Sequence, residues 1–253
     1  MPDSLPNPSP ILEGRTLLDE LNHRIKNELG SVINLVTFKA VWTENAEAKE
    51  ELSNVVELLH QHVQVHSILT MPDGDALVDA GEQLRKLGLA MSRSKLDRMN
   101  IRLVLSADRL PLQSERCWRL ALAVYELVTN AARHACFDGR EGEIKIELMR
   151  AGSWVHCRVA DNGSGKGRIR PGRGLRILGE LASSLGGRID RASGTTWNSF
   201  SLDFPLAQPE RRANRMVTAR RPRADRRSKP LPRPLRLPLA CERLEAIADR
   251  PKL

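Results

Sequence analysis

Apolar residues recur at steps of three and four through the first part of the chain. Between Thr16 and Val36, Leu18, Leu21, Ile25, Leu29, Val32 and Val36 share one face of a helix. The periodicity predicts a first helix over residues 11–41. Thr43-Glu44-Asn45 interrupts it, with Asn45 able to cap a further helix. Leu52, Val55, Val56, Leu59, Val63 and Ile68 predict that second helix over residues 46–69. Two long helices joined by a short turn form an antiparallel hairpin. A lone hairpin cannot cover its own apolar stripes, which predicts a homodimer through residues 11–72, closed as a four-helix bundle. Met71-Pro72-Asp73-Gly74 ends the pattern and sets a domain boundary.

Beyond it the period alternates between helix and strand. Residues 78–94 read as a helix, Ile101 to Leu105 as a strand, and residues 114–135 as a second helix. Two strands come next, 143–149 and 154–160, spaced like a hairpin. A glycine-rich loop from Asp161 to Arg173 leads into a helix over 175–185, which Gly186-Gly187 terminates. Residues 189–192 and 199–204 read as short final strands. The pattern predicts an α+β unit over residues 73–206, with helices on one face of a mixed, mostly antiparallel sheet.

Composition changes the picture at the two ends. The chain has 253 residues, 41% hydrophobic but only 4% aromatic, so Leu, Val, Ile and Ala must fill the core. The net charge of +9 is concentrated in the last segment, where residues 207–253 hold 14 Lys and Arg against 5 Asp and Glu, and 7 of the 15 prolines. That Arg- and Pro-rich tail is predicted to be disordered apart from a short helix near 239–248. Its charge leaves contact with nucleic acid or anionic lipid open, but it lacks interleaved aromatics, and a solvated extension fits as well. Residues 1–10 are polar and proline-rich, predicting disorder rather than a signal peptide. No run reaches the roughly 18–20 apolar residues of a membrane span. The four cysteines show no C-x-x-C spacing and read as reduced thiols of a cytoplasmic protein.

Candidate chemistry lies in two places. His23 falls off the apolar stripe of the first helix and faces water, with Glu20 three residues before it and Lys26 and Asn27 three and four after it on the same face. In the second unit, Glu126 and Asn130 lie four apart on one helix, and Arg133 and His134 come one turn later. A carboxylate and an amide oxygen on one face suit a hydrated Mg²⁺, and Arg133 suits phosphate. Asp161, just past a strand end and followed by Gly163 and Gly165, suits recognition of a base amine beside a glycine-permitted close approach. Gly172 and Gly174 open a helix, whose free N–H groups suit an anion. His60, His62 and His66 invite a metal reading, but no adjacent Cys or carboxylate completes a tetrahedral set.

The segments E-L-V-T-N-A-A-R-H-A (126–135), D-N-G-S-G (161–165) and G-R-G-L (172–175) resemble the asparagine box and the two glycine boxes of the GHKL ATPase domain of histidine kinases. L-N-H-R-I-K-N-E-L (21–29) resembles the phosphoacceptor motif of the H-R-x-K-N subgroup, related to the HWE kinases. The resemblance covers residues 11–206. It implies that ATP and Mg²⁺ are used, with Asn130 and Glu126 at the metal and Asp161 at the adenine amine. Gly163, Gly165, Gly172 and Gly174 would shape the phosphate cradle and lid, and Arg133 and His134 join them as cofactor-binding residues. It further implies that His23 accepts the γ-phosphoryl group and passes it to an aspartate of a response-regulator receiver domain, and that Asn27 occupies a position linked to phosphatase action.

The chain departs from the family pattern in three respects. Arg24 stands where many of these kinases place an acid, which leaves Glu20 to orient or deprotonate His23. Gly30 stands mid-helix. The last ATPase motif, usually a compact Gly-Thr-x-Phe, is stretched to Gly194-Thr-Thr-Trp-Asn-Ser-Phe200, leaving Thr196 or Ser199 to serve the adenine pocket. With about ten residues before the hairpin, no sensor domain is expected, so the input would come from an upstream protein partner. Three other readings share parts of this pattern: a non-catalytic histidine phosphotransfer or scaffold protein, a serine kinase of the anti-sigma-factor type, and a DNA-binding regulator acting through the tail.

Overall fold

The computed structural model describes residues 10–72, 74–137, 139–164, 173–194, 197–219 and 235–236. The expectations of disorder over residues 1–10 and of a helix near 239–248 fall on residues outside these, Pro10 excepted. The chain divides into two compact units at Met71/Pro72.

The first unit is the hairpin. Helix α1 runs Pro10–Trp42 and α2 runs Ala46–Ile68. Proline at the first helical position costs no hydrogen bond, since that N–H has no partner within a helix. The turn ends at Asn45, whose Oδ1 accepts from the Ala48 N–H at 3.1 Å and satisfies one free donor of α2. Ile33 and Ala40 of α1, and Gln61 and Val65 of α2, are buried, with Ile25, Leu29 and Val36 half-buried beside them. Leu21 and Val32, which the sequence pattern puts on this same stripe, are exposed, as are Leu35, Phe38, Val41 and Trp42. Helix α1 therefore has two apolar faces. One packs on α2, and the other faces outward, with Phe38 and Trp42 in ring contact at 5.7 Å.

The second unit is a two-layer α/β sandwich. Strand β1 (Leu77–Asp79) leads into α3 (Ala80–Met91), a π-helical turn (Ser92–Leu96) and a 3₁₀ turn (Asp97–Met99). Then come β2 (Ile101–Ala107), β3 (Pro111–Gln113), α4 (Ser114–His134), β4 (Gly142–Ala151), β5 (Trp154–Asp161), α5 (Arg173–Ser184), β6 (Arg188–Ser193) and β7 (Asn198–Pro205). Helix α6 (Gln208–Ala219) and the two-residue β8 (Leu235–Arg236) come last. The sheet order is β6-β7-β5-β4-β2-β8, in which β2 and β4 are parallel and every other pair antiparallel. The parallel pair is joined through β3 and α4, as a crossover requires. Strands β1 and β3 form a separate short ladder. Asp79 ties this corner together, its Oδ1 accepting from the N–H groups of Gly81 and Leu110, each at 3.0 Å.

Alternation along each strand divides the sheet into two faces. Leu103, Leu105, Ile144, Ile146, Leu148, Val155, Cys157, Val159, Leu202 and Phe204 are buried, as are Leu84, Leu87, Leu120, Val124, Val128, Leu178 and Ala182 of the helical layer. On the other face the paired positions are polar. Arg158 sits opposite Glu147 and His156 opposite Asp203, with His156 Nδ1 at 2.6 Å from Asp203 Oδ1. Cys117 and Cys157 are buried, and burial pushes both thiols up to about 12, which makes them inert packing residues. Cys241 lies outside the described residues.

One expectation is corrected. Residues 207–253 read as disordered, yet α6 folds onto the sandwich. Glu210 is fully buried; it accepts from the N–H of Gln113 at 3.0 Å, Arg116 Nε at 3.0 Å and the N–H of Ala207 at 2.7 Å. Arg116 also donates to the carbonyls of Leu185 and Pro205. Asn214, one turn on, donates to the Pro111 carbonyl at 2.8 Å. The inward stripe of α6 is thus polar and held by hydrogen bonds, so apolar periodicity does not reveal it. Removing one partner of a buried pair leaves the other uncompensated, which costs about 3 kcal/mol or more. Glu210→Ala is therefore expected to shift the denaturant midpoint of this unit clearly downward, and an unchanged midpoint would contradict the account of α6 as part of the fold.

Candidate functional site

The inward face of β5 reads Val155, Cys157, Val159 and then Asp161: the apolar run ends in a carboxylate at the strand's last position. The register puts Asn198 opposite Asp161 and Phe200 opposite Val159 on β7. A pocket opens there, walled by Leu127, Ala131, Val159 and Phe200, with Asn130, His134, Asp161, Arg191 and Asn198 supplying the polar groups. Apolar walls with a few convergent polar groups suit a flat heterocycle whose edge carries hydrogen-bonding atoms.

Three residues form a closed node at its base. Asp161 Oδ1 accepts from the Gly163 N–H at 3.0 Å and lies 3.4 Å from Asn198 Nδ2, which also donates to the Gly163 carbonyl at 3.1 Å. Gly163 is required by space: a Cβ there would fall 2.7 Å from the Ala135 Cβ and 2.9 Å from Asp161 Oδ1. The loop after β5 thus rests directly on the end of α4, an approach the Ser164 N–H confirms by donating to the Cys136 carbonyl at 2.8 Å. Burial raises the Asp161 pKa, against the Gly163 N–H, the Asn198 amide and the Arg191 charge, which all lower it. Arg191 itself lies over the Phe200 ring, 5.7 Å from its centroid.

Helix α4 carries the second group of side chains. Glu126 and Asn130 lie one turn apart, and a Cβ on Gly174 would stand 3.4 Å from Asn130 Nδ2 and 3.7 Å from Glu126 Oε2. The first turn of α5 therefore meets the carboxylate and amide of α4, so oxygen donors fit for Mg²⁺ and free helix N–H groups fit for anions lie side by side. Arg133 and His134 are exposed at the end of α4, and His134 lines the pocket. Lys95, on the π-helical turn, joins this group. Its pKa is lowered by burial and by the Arg133 guanidinium, and raised by the Glu126 carboxylate.

Of the expected site residues, Glu126, Asn130, His134, Asp161, Gly163 and Gly174 are brought together in this unit. Gly165, Gly172 and Thr196 lie outside the described residues. Ser199 is a correction: alternation turns it with its partner Ala160 away from the pocket, and Asn198 and Phe200 take the inward positions. The sequence reading missed Asn198, Arg191 and Lys95. Counting two residues back from Phe200 would have found Asn198, had the strand's register been known.

In the hairpin unit, His23 is exposed, as are Glu20 and Asn27. Glu20 Oε1 accepts from Arg24 Nε at 2.8 Å, and among the described residues no hydrogen bond joins it to His23. As an exposed ion pair it contributes little to stability.

The histidine kinase-like ATPase domain model matches residues 93–198, and the histidine kinase model matches residues 20–95. The sensor histidine kinase PdtaS of Mycobacterium tuberculosis (strain CDC 1551 / Oshkosh) is 33% identical over 211 residues, 78% of this chain and 40% of that protein. Blue-light-activated histidine kinase 2 of Erythrobacter litoralis (strain HTCC2594) is 25% identical over 205 residues, 76% of this chain and 57% of that protein. The chain thus spans less than two thirds of the length of these relatives. Among solved structures, the histidine kinase domain of the Erythrobacter litoralis EL346 blue-light activated histidine kinase aligns with a TM-score of 0.49 at 23% identity, covering 79% of this chain and 95% of that one.

The raised Asp161 pKa has a stability consequence. A carboxyl that binds its proton more tightly in the folded state carries a burial penalty when ionised. The penalty is absent below its unfolded pKa and is felt in full above its folded pKa. Asp161→Asn is therefore expected to hold or raise the thermal midpoint near neutral pH. That advantage should shrink as the pH falls into the carboxylate range, and a midpoint lowered at neutral pH would contradict this reading.

Proposed function

The chain belongs to the histidine kinase family, and on that premise we propose that it phosphorylates His23 from ATP and hands the phosphoryl group to an aspartate of a response-regulator receiver domain. The observation that carries the proposal is the node at the end of β5, a part-buried carboxylate facing an apolar slot beside the oxygen donors of α4.

In this reading the adenine ring lies between Leu127, Val159 and Phe200, and its exocyclic amine donates to Asp161. The triphosphate runs toward the first turn of α5, where Arg133, His134 and Lys95 answer its charge. Glu126 and Asn130 would hold Mg²⁺, which when bound neutralises charge on the phosphates. A ring nitrogen of His23 forms a bond to the γ-phosphorus in line with the bridging oxygen, whose bond to phosphorus breaks as ADP leaves. Glu20, one turn earlier, is the carboxylate available for the ring proton once Arg24 releases it. In the second transfer the nitrogen–phosphorus bond breaks and an aspartyl phosphate forms on the receiver. The protein's task in both is placement and charge neutralisation.

The outward face of α1 supports a homodimer. Leu21, Val32, Leu35, Phe38, Val41 and Trp42 form an apolar surface of the kind a second hairpin covers. Sedimentation of the full chain reads this directly, a monomer being the contrary result. Among the described residues no helix is long and apolar enough to cross a membrane.

The test is incubation with Mg²⁺ and γ-labelled ATP, beside His23→Ala and Asn130→Ala. The expected label survives base, is lost in acid, and is absent from both variants. Acid-stable label that persists in His23→Ala would overturn the assignment in favour of a serine kinase.

A further inference from the structure

We propose that residues 233–237 of the tail form an edge strand that closes the free side of β2, and that the alternate prolines of this segment end the sheet there. The direction of the backbone groups of β2 follows from the residues that flank it. The Asp108 N–H donates to the Leu148 carbonyl of β4 at 3.0 Å, and the Asn100 carbonyl accepts from the Gly142 N–H of β4 at 3.3 Å. Even-numbered positions along β2 therefore bond to β4. Leu103, Leu105 and Ala107 present their N–H and C=O groups to the opposite side. Among the described residues only β8 lies there, antiparallel, with Leu235 opposite Leu105 and Arg236 opposite Val104. Leu105 and Leu235 are thus the pair that exchanges both hydrogen bonds. Continuing the register sets Arg233 against Ala107 and Leu237 against Leu103.

The sequence around this pair reads Pro230-Leu-Pro-Arg-Pro234-Leu-Arg-Leu-Pro238, with prolines at 230, 232, 234 and 238, all even positions. In this register even positions turn their nitrogens away from β2, so no proline is asked for a donor it lacks. A shift by one residue would set prolines against β2. Proline also pushes the residue before it toward extended backbone, here Leu231, Arg233 and Leu237. The outer side of such a strand lacks donors, so no further strand can pair with it as β8 pairs with β2. Strand β2 needs this cover. Its residues are apolar except for Arg102 and Ser106, whereas β6, at the other end of the sheet, carries Arg188, Asp190 and Arg191. The tail is then an intramolecular cap on the second unit, and it leaves pairing with another copy to the hairpin.

Amide hydrogen exchange of the full chain, read residue by residue by NMR, tests this with two proline variants. Leu235→Pro places proline where a donor is required, and Arg236→Pro places it where none is. In the wild type the amides of Leu103, Leu105 and Ala107 are expected to be protected. Leu235→Pro is expected to speed their exchange by about tenfold or more, while Arg236→Pro leaves it unchanged. The amides of Val104 and Ser106, which face β4, are expected to stay protected throughout and report that the sheet is intact. Free exchange at Leu103, Leu105 and Ala107 in the wild type would overturn the proposal, as would equal effects of the two variants. Protection that falls on dilution would also overturn it, by assigning the strand to a second copy of the chain. Should Leu235→Pro lose protection at Val104 and Ser106 as well, Leu237→Pro carries the same comparison from the end of the strand.

Discussion

The core face of the sheet continues one residue past its last apolar side chain, and that residue is Asp161. A carboxylate at the end of a buried strand face costs desolvation energy, and the fold meets this with a small set of fixed donors rather than with a cation in contact. Gly163 supplies an N–H, Asn198 supplies an amide, and Arg191 adds charge at longer range. Each of these depends on something else being in place. The glycine must rest on Ala135 at the end of α4, Asn198 must sit in register opposite Asp161, and Arg191 must reach from β6 across Phe200. The site is therefore a consequence of strand register and helix length together. An insertion of one residue in β5 or β7 would turn its polar groups to the opposite face.

The same logic explains why the sandwich does not stop at its last core strand. The end of β7, the start of α4 and the turn after α5 all present backbone carbonyls or N–H groups near the rim, and Arg116 and Glu210 gather them into one buried network. Arg116 also lies over the Phe204 ring at 5.4 Å. Helix α6 is held by what it hydrogen-bonds, not by an apolar stripe.

How much the residues reveal depends on how local each signal is. Helices α1, α2 and α4 and the hairpin of β4 and β5 announce themselves through periodicity and turn residues within a few positions. The family segments around Asn130 and Asp161 are equally local. Asn198 was hidden because its role depends on cross-strand register, and the stretched segment before Phe200 obscured it, so that Ser199 looked equally able. Which apolar face of α1 meets α2 was hidden for a related reason: Leu21 and Val32 satisfy the helical period as well as Ile33 and Ala40 do, and only packing chooses between them. Helix α6 was hidden because Glu210 and Asn214, its inward residues, are types normally found at the surface.

The most direct measurement is a crystal structure of the chain with Mg²⁺ and a non-hydrolysable ATP analogue. The account predicts the adenine ring between Leu127 and Phe200 with its amine against Asp161, and the metal held by Glu126 and Asn130 beside the first turn of α5. A base seated away from Asp161, or a metal held by other residues, would contradict it.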